Sequence, residues 1–123
     1  MAYTTSGEII RLEYDRFVDI ERISFRDEKL KTENYLEIPR SVISFEEGDS
    51  IKLEITDDEK KVDMKKKPKM VLNTTLFLIR PSKANEEDYI FQFSAGGLIL
   101  RITTRDNQIF RLRGNRKFKL VLY

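Results

Sequence analysis

The chain has 123 residues and a net charge of +2, and 36% of its side chains are charged. It contains no cysteine, histidine or tryptophan, which excludes disulfides, thiolate or imidazole metal sites, and Ser/His or Cys/His catalysis. No apolar run approaches the ~20 residues that span a bilayer, and the N-terminus lacks the basic-then-apolar order of a signal peptide. We therefore expect a soluble, cytoplasmic protein with a single domain over residues 1–123.

The charges are distributed unevenly along the chain. Residues 1–58 carry 15 acidic and 8 basic side chains, whereas residues 59–123 carry 6 acidic and 15 basic ones. Such polarity favours an orientation between partners of opposite charge, unless folding interleaves the two halves and removes the asymmetry in space.

The N-terminal part predicts two strands. Residues 1–6 are small and polar, and we expect them to be frayed. Residues 7–14 alternate as a strand does. Their inward side chains are predicted to be Ile10, Leu12 and Tyr14. A second strand follows over residues 17–25, and its apolar residues change parity near Arg22, which predicts a bulge there.

Two further strands precede a turn. Residues 35–38 form a strand that is an edge or ends at Pro39, because proline donates no ladder hydrogen bond. Residues 42–45 resume an extended run before the turn Glu-Glu-Gly-Asp at 46–49. Residues 50–56 then alternate most regularly, which predicts one buried and one solvated face. The buried face consists of Ile51, Leu53 and Ile55.

A lysine-rich loop is predicted at about residues 57–70. It contains Lys60, Lys61, Lys65, Lys66, Lys67 and Lys69. The segment is either a solvated loop or a phosphate-binding arm. Because it has no aromatic residue for base stacking, it is by itself an incomplete nucleic-acid site.

The C-terminal half predicts more strands and no regular amphipathic helix. Residues 71–80 carry apolar residues on both parities, which predicts a central strand buried on both faces. Residues 109–113 form a short segment with Phe110 and Leu112 inward. The last strand, residues 116–123, points Phe118, Leu120 and Leu122 inward.

The most informative stretch is residues 88–103. Two strand-like runs meet at Gly96-Gly97, a pair typical of a tight turn or a bulge because glycine reaches positive φ without steric cost. In the first run Tyr89, Phe91 and Phe93 share one face. In the second, Leu98, Leu100 and Ile102 share one face, and Ile99, Arg101 and Thr103 share the other.

Together these patterns predict an all-β fold, a small antiparallel β-barrel of about eight strands. The run Ser94-Ala95-Gly96-Gly97-Leu98-Ile99-Leu100-Arg101-Ile102 resembles the signature of the eighth subunit of the eukaryotic nuclear RNA polymerases and of the archaeal counterpart of that subunit. Ala95 departs from the aromatic residue usual at that position in eukaryotic members. The chain also lacks their long acidic insertion, so the archaeal form is the closer likeness.

The resemblance implies an elaborated oligonucleotide/oligosaccharide-binding barrel and a non-catalytic subunit of archaeal DNA-directed RNA polymerase. Its partner would be the largest subunit, and it would need no cofactor, small-molecule substrate or membrane. The residues carried over for partner binding are Gly96, Gly97, Leu98, Ile99 and Arg101. Arg101 can offer a planar donor fork to a carboxylate, or it can be a surface residue with an ordinary cross-strand partner.

Two alternatives compete with this function. A free-standing single-stranded nucleic-acid-binding protein would use cations of the loop and the C-terminal half, with Phe91, Phe110 and Phe118 as the available aromatics, although their alternation indicates core. Those cations are Lys65, Lys66, Lys67, Lys69, Arg105, Arg111, Arg113, Arg116, Lys117 and Lys119. An enzyme is disfavoured, because the acidic pairs at 46–47 and 57–58 are adjacent residues whose side chains point apart.

Overall fold

Eight antiparallel strands form a closed barrel in the computed structural model, which describes residues 2–57, 62 and 64–123. The strands are β1 Ala2–Asp15, β2 Ile20–Asp27, β3 Thr32–Pro39, β4 Ser50–Thr56, β5 Met70–Pro81, β6 Tyr89–Ala95, β7 Leu98–Thr104 and β8 Lys117–Leu122. Among the described residues, two 3₁₀ segments, Met64–Lys66 and Asn107–Gly114, precede β5 and β8. The predicted small all-β barrel is therefore confirmed.

The strand order divides the barrel wall into two Greek keys. The first half runs β4-β1-β2-β3 and the second runs β7-β6-β5-β8, so each half has its fourth strand beside its first. The halves meet along two seams, β3 with β7 and β4 with β8. Because the halves are not interleaved, the charge asymmetry of the sequence persists as an acidic half and a basic half of the wall.

The core consists mainly of the inward residues of the eight strands. Ile51, Leu53 and Ile55 of β4 are buried as predicted, and so are Phe118, Leu120 and Leu122 of β8. The largest fully buried side chains are Phe25, Phe91 and Phe93, and Phe93 packs edge-on against Phe118 with ring centroids 6.0 Å apart. Alternation with a period of two was therefore a sound guide wherever a strand is regular.

Each half contains one β-bulge, in β1 and in β5. Ile9 pairs with Phe25 and Arg11 with Ser24, which leaves Ile10 without a partner on β2 and 63% exposed. The predictions that Ile10 and Tyr14 point inward and that a bulge lies near Arg22 are therefore wrong. The parity change belongs to β1, while β2 buries alternate residues without interruption.

The equivalent bulge in β5 leaves Phe77 without a partner on β6, because Leu76 pairs with Phe93 and Leu78 with Gln92. Phe77 is 48% exposed, and Val71 and Ile79 are also exposed. The prediction that residues 71–80 are buried on both faces is wrong. The apolar residues on the outer parity of β5 face solvent.

Other boundaries also differ from prediction: β2 spans Ile20–Asp27 instead of residues 17–25, and β3 begins at Thr32 instead of residue 35. Residues 2–6 are paired with β4 instead of frayed, and Tyr3 and Thr5 are buried. Residues 42–45 form a loop whose Phe45 is buried. Residues 109–113 belong to a 3₁₀ segment, in which side chains three apart share a face, so Ile109 and Leu112 are buried and Phe110 is only partly covered. Strand β3 does end at Pro39.

Candidate partner-binding site

The Gly96-Gly97 turn closes the β6–β7 hairpin with a two-residue loop. Ala95 pairs directly with Leu98, and φ is +58° at Gly96 and +93° at Gly97, as in hairpin turns with two left-handed central residues. Both glycines are exposed, and a Cβ atom on either would have no neighbour within 4 Å. Their backbone conformation, not close packing within the chain, therefore accounts for glycine at these positions.

A carboxylate ties this hairpin to β3 beyond the last backbone pair of the β3–β7 seam. The Ile99 amide donates to Glu37 Oε1 at 2.9 Å, and the Tyr35 hydroxyl donates to Glu37 Oε2 at 2.8 Å. Arg22 Nε lies 3.6 Å from the same Oε2. Burial, and then the hydrogen bond to Glu37, raise the pKa of Tyr35 above its ordinary value of 10.0. Glu37 thus fixes the start of β7 relative to the outer face of β3.

Arg101 lies next to this network but takes no part in its ion pairs. It is directly opposite Tyr35 across the β3–β7 seam, with its guanidinium carbon 4.9 Å from the centre of the Tyr35 ring. Its Nε is buried and has no hydrogen-bond partner. Within the described part of the chain Arg101 makes no salt bridge, whereas Arg11, Arg22 and Arg105 all do. Tyr35 is a cation–π partner and not an ion partner, so the terminal guanidinium nitrogens can still bind an external acceptor.

A surface groove of about 350 Å³ joins Arg101 to the bulged residue of β1; we call it the Arg101 groove. Its lining includes Ile10, Arg11, Ser24, Tyr35, Arg101 and Thr103. Glu33 also lines the groove, and its carboxylate is paired with Arg26 at 3.1 Å. The β1 bulge directs Ile10 outward, so an exposed aliphatic side chain lies in the same groove as a cation that lacks an ion partner. This arrangement suits a protein segment that carries a carboxylate beside an apolar side chain.

The predicted partner-binding residues therefore occupy three environments. Gly96 and Gly97 form the exposed tip, Leu98 and Ile99 are half-buried, and Arg101 lies in the groove. Sequence reasoning missed Ile10, Tyr35 and Glu37. The adjacent isoleucines at 9 and 10 were a signal for Ile10, because one of two neighbouring strand residues must point outward.

The cations of the nucleic-acid alternative lie on several different elements. Lys65, Lys66, Lys67 and Lys69 are exposed around the first 3₁₀ segment, with Lys69 Nζ 5.1 Å from the Phe45 ring centre. Arg111 and Arg113 are exposed on the second 3₁₀ segment. Lys60 and Lys61 lie outside the described residues.

The three aromatics expected to be available belong to the interior. Phe91 and Phe118 are buried. Phe110 packs edge-on against Tyr89 and Phe91, with ring centroids 5.0 and 5.5 Å away. These rings therefore stabilise the core and the second 3₁₀ segment and do not form a stacking platform for bases.

Among the described residues no group of three or more acidic side chains is placed to hold a metal ion. Glu46 and Glu47 are exposed in the turn before β4, and Asp58 lies outside the described residues. In the same part of the chain no helix has the length and apolar character needed to cross a membrane.

The fold defines the chain as a small, closed antiparallel β-barrel protein with an outward-facing arginine in a lateral groove. A scan of protein-family models finds none that matches the chain. A search of curated proteins also finds no match.

Proposed function

We propose that this protein is a non-catalytic accessory subunit of an archaeal DNA-directed RNA polymerase. It docks on the largest subunit and supports the assembly or stability of the enzyme, while other subunits perform the chemistry. The proposal rests on the resemblance of residues 94–102 to the eighth-subunit signature and on the environment that the fold gives those residues.

The observation that carries the proposal is that Arg101 has no ion pair with any described residue. Its Nε also has no hydrogen-bond partner, so a partner carboxylate at the terminal guanidinium nitrogens would supply the missing ion pair. Exposed Ile10 in the same groove supplies apolar contact area next to that charge. Arginine side chains that a rigid sheet holds beside an apolar side chain often contribute most of the binding energy of a protein interface.

The glycine turn has a supporting role in this proposal. It reverses the chain in two residues, and Glu37 holds the strand that follows, so the hairpin presents Arg101 without a flexible loop. Leu98 and Ile99 are half-buried, and they add apolar area near the tip instead of forming the main anchor.

Affinity capture from an archaeal cell extract tests the proposal. The tagged chain should retain the two largest polymerase subunits, identified by mass spectrometry. Arg101→Glu and Ile10→Asp should each reduce recovery at least about tenfold, because hot-spot residues contribute about 2 kcal/mol or more to binding. Met64→Asp is the matched control, because Met64 is 67% exposed and Ile10 is 63% exposed.

The Gly96→Asn variant tests whether the turn itself contributes to docking or only shapes the hairpin. Asparagine tolerates the left-handed conformation at φ +58°, so this variant should fold and still capture the polymerase. Recovery of the wild-type chain alone, or with partners other than the polymerase, would show the proposal to be wrong. Equal recovery of the Arg101→Glu and Met64→Asp variants would place the interface elsewhere.

A further inference from the structure

The bulge in β5 creates a second lateral groove, on the basic half of the barrel wall. Phe77 has no partner on β6 and is 48% exposed. The Leu76 amide donates to the Arg116 carbonyl at 2.7 Å, which holds the segment before β8 beside the bulge. The ring is thus mounted on a rigid strand and leaves about half of its surface available for contact.

Two arginines complete this groove, which we call the Phe77 groove and which has a volume of about 200 Å³. Arg113 and Arg116 line it together with residues 76–79 and Asn115. Both arginines are exposed, and neither makes a salt bridge with any residue that the structure describes. The side-chain Nδ2 of Asn115 donates to the Asp57 carboxylate at 2.9 Å, which ties the residue between the two arginines to the end of β4.

The surroundings of the Phe77 groove favour an anionic ligand. Residues 64–123 carry 13 basic and 4 acidic side chains. Three of the four acidic residues are engaged elsewhere, because Glu87 and Asp88 bind Arg105, and Asp106 caps the second 3₁₀ segment. These three carboxylates therefore do not compensate the arginines beside Phe77, and the described carboxylate that contacts the groove lining is that of Asp57, which accepts from Asn115.

We propose that the Phe77 groove binds single-stranded nucleic acid. One base stacks on Phe77, while phosphates on either side bind Arg113 and Arg116. The groove is smaller than a typical drug-sized pocket and suits one planar ring. A duplex keeps its bases stacked within the helix, so the ring selects single strands. This function goes beyond the proposed docking and uses the other half of the barrel wall, so either one can fail without the other.

Binding of a fluorescently labelled oligothymidylate to the purified full chain, followed by anisotropy at several salt concentrations, tests this inference. Phe77→Leu keeps an apolar side chain but removes the ring, and it should weaken binding about tenfold. Arg113→Gln combined with Arg116→Gln should lower the slope of log K against log salt by about 1.4, or about 0.7 per phosphate. Phe77→Tyr retains the ring and should bind as the wild type does, which guards against an effect of Phe77→Leu on folding.

The matched control is Phe17→Leu with Arg16→Gln. Phe17 is 88% exposed and has the Arg16 guanidinium 5.6 Å from its ring centre, so it offers the same residue types away from the groove. That variant should bind with unchanged affinity. Absence of binding at low salt, equal binding of a duplex, equal competition by polyglutamate, or wild-type affinity of Phe77→Leu would each overturn the proposal.

Discussion

Asp27 is a buried carboxylate whose removal should destabilise the end of the barrel opposite the Gly96-Gly97 turn. Its side chain accepts four hydrogen bonds: from Thr5 Oγ1 at 3.0 Å, from the Ser6 amide at 2.9 Å, and from the Lys29 and Leu30 amides at 3.1 Å each. Thr5 is 1% exposed and Asp27 is 6% exposed. Water therefore cannot easily replace the carboxylate at the two inner donors, which are the Thr5 hydroxyl and the Ser6 amide.

Asp27→Ala should therefore cost about 3 kcal/mol, or about 1.5 kcal/mol for each of the two inner donors, since the loop amides can regain water. For a chain of this length such a loss lowers the melting temperature by about 10 °C. Asp27→Asn keeps one acceptor oxygen and should lose about half as much free energy. Urea denaturation followed by circular dichroism measures both changes, with an unchanged m-value as the sign that the fold is retained.

An exposed carboxylate gives the control for this prediction. Asp49 accepts a hydrogen bond from the Glu46 amide at 2.9 Å in the exposed turn before β4. Because solvent replaces it there, Asp49→Ala should cost less than about 1 kcal/mol. A loss for Asp27→Ala no larger than that of Asp49→Ala would refute the argument that the buried network stabilises the barrel.

Two further predictions concern stability. A Cβ atom at Gly7 would lie 2.0 Å from the Arg26 carbonyl oxygen, whereas one at Gly114 would meet nothing within 4 Å; Gly7→Ala should therefore cost about 3 kcal/mol of unfolding free energy in urea, and Gly114→Ala less than about 0.5 kcal/mol. Burial raises the pKa of Tyr3 and Tyr35 above 10.0, so both phenols ionise more readily in the unfolded chain. Their contribution to stability is complete below pH 10 and is lost as pH rises through the folded-state pKa values. Melting temperatures should therefore fall in alkaline buffer, and the Tyr35→Phe variant should show a smaller fall.

The regular parts of this fold are predictable from the sequence because one physical rule controls them. In β4 strict alternation predicts one buried face, and the structure agrees with it. The Gly96-Gly97 pair predicts a tight turn or a bulge, and the structure has the turn. The confirmed class of fold follows from many such short strands. What the structure adds to this class of fold is the order in which the strands pair around the closed barrel.

The departures from prediction have two causes, a β-bulge and buried polar side chains. A bulge shifts parity by one residue, and a sequence shows the shift without showing which strand carries it, so the change assigned to Arg22 belongs to Ile10. Buried polar side chains are the second case. Thr5, Asp27 and Asn34 point inward and bond to one another, but in a sequence such residues are typical of loops and solvated faces.

The candidate site is predictable only in part, for the same reasons. Arg101 lies within the regular alternation of β7, so its outward direction follows from the pattern. The Arg101 groove also requires Ile10, which is distant in the sequence. That Arg101 has no ion partner is visible only once the described side chains are placed. Both are properties of the β3–β7 seam and of the β1 bulge, which periodicity does not reveal.

The two bulges lie at equivalent positions of two equivalent halves, since each falls in the first strand of a Greek key and faces the second. The same backbone device therefore exposes Ile10 in the acidic half and Phe77 in the basic half, each in a groove with arginine. An aliphatic side chain offers only apolar area, which suits a protein segment, whereas an aromatic ring can also stack on a base. Exchanging the two residues, as Ile10→Phe with Phe77→Ile, should therefore abolish the stacking contribution in the Phe77 groove without creating it at Arg101, because the surrounding half of the wall at Ile10 is acidic.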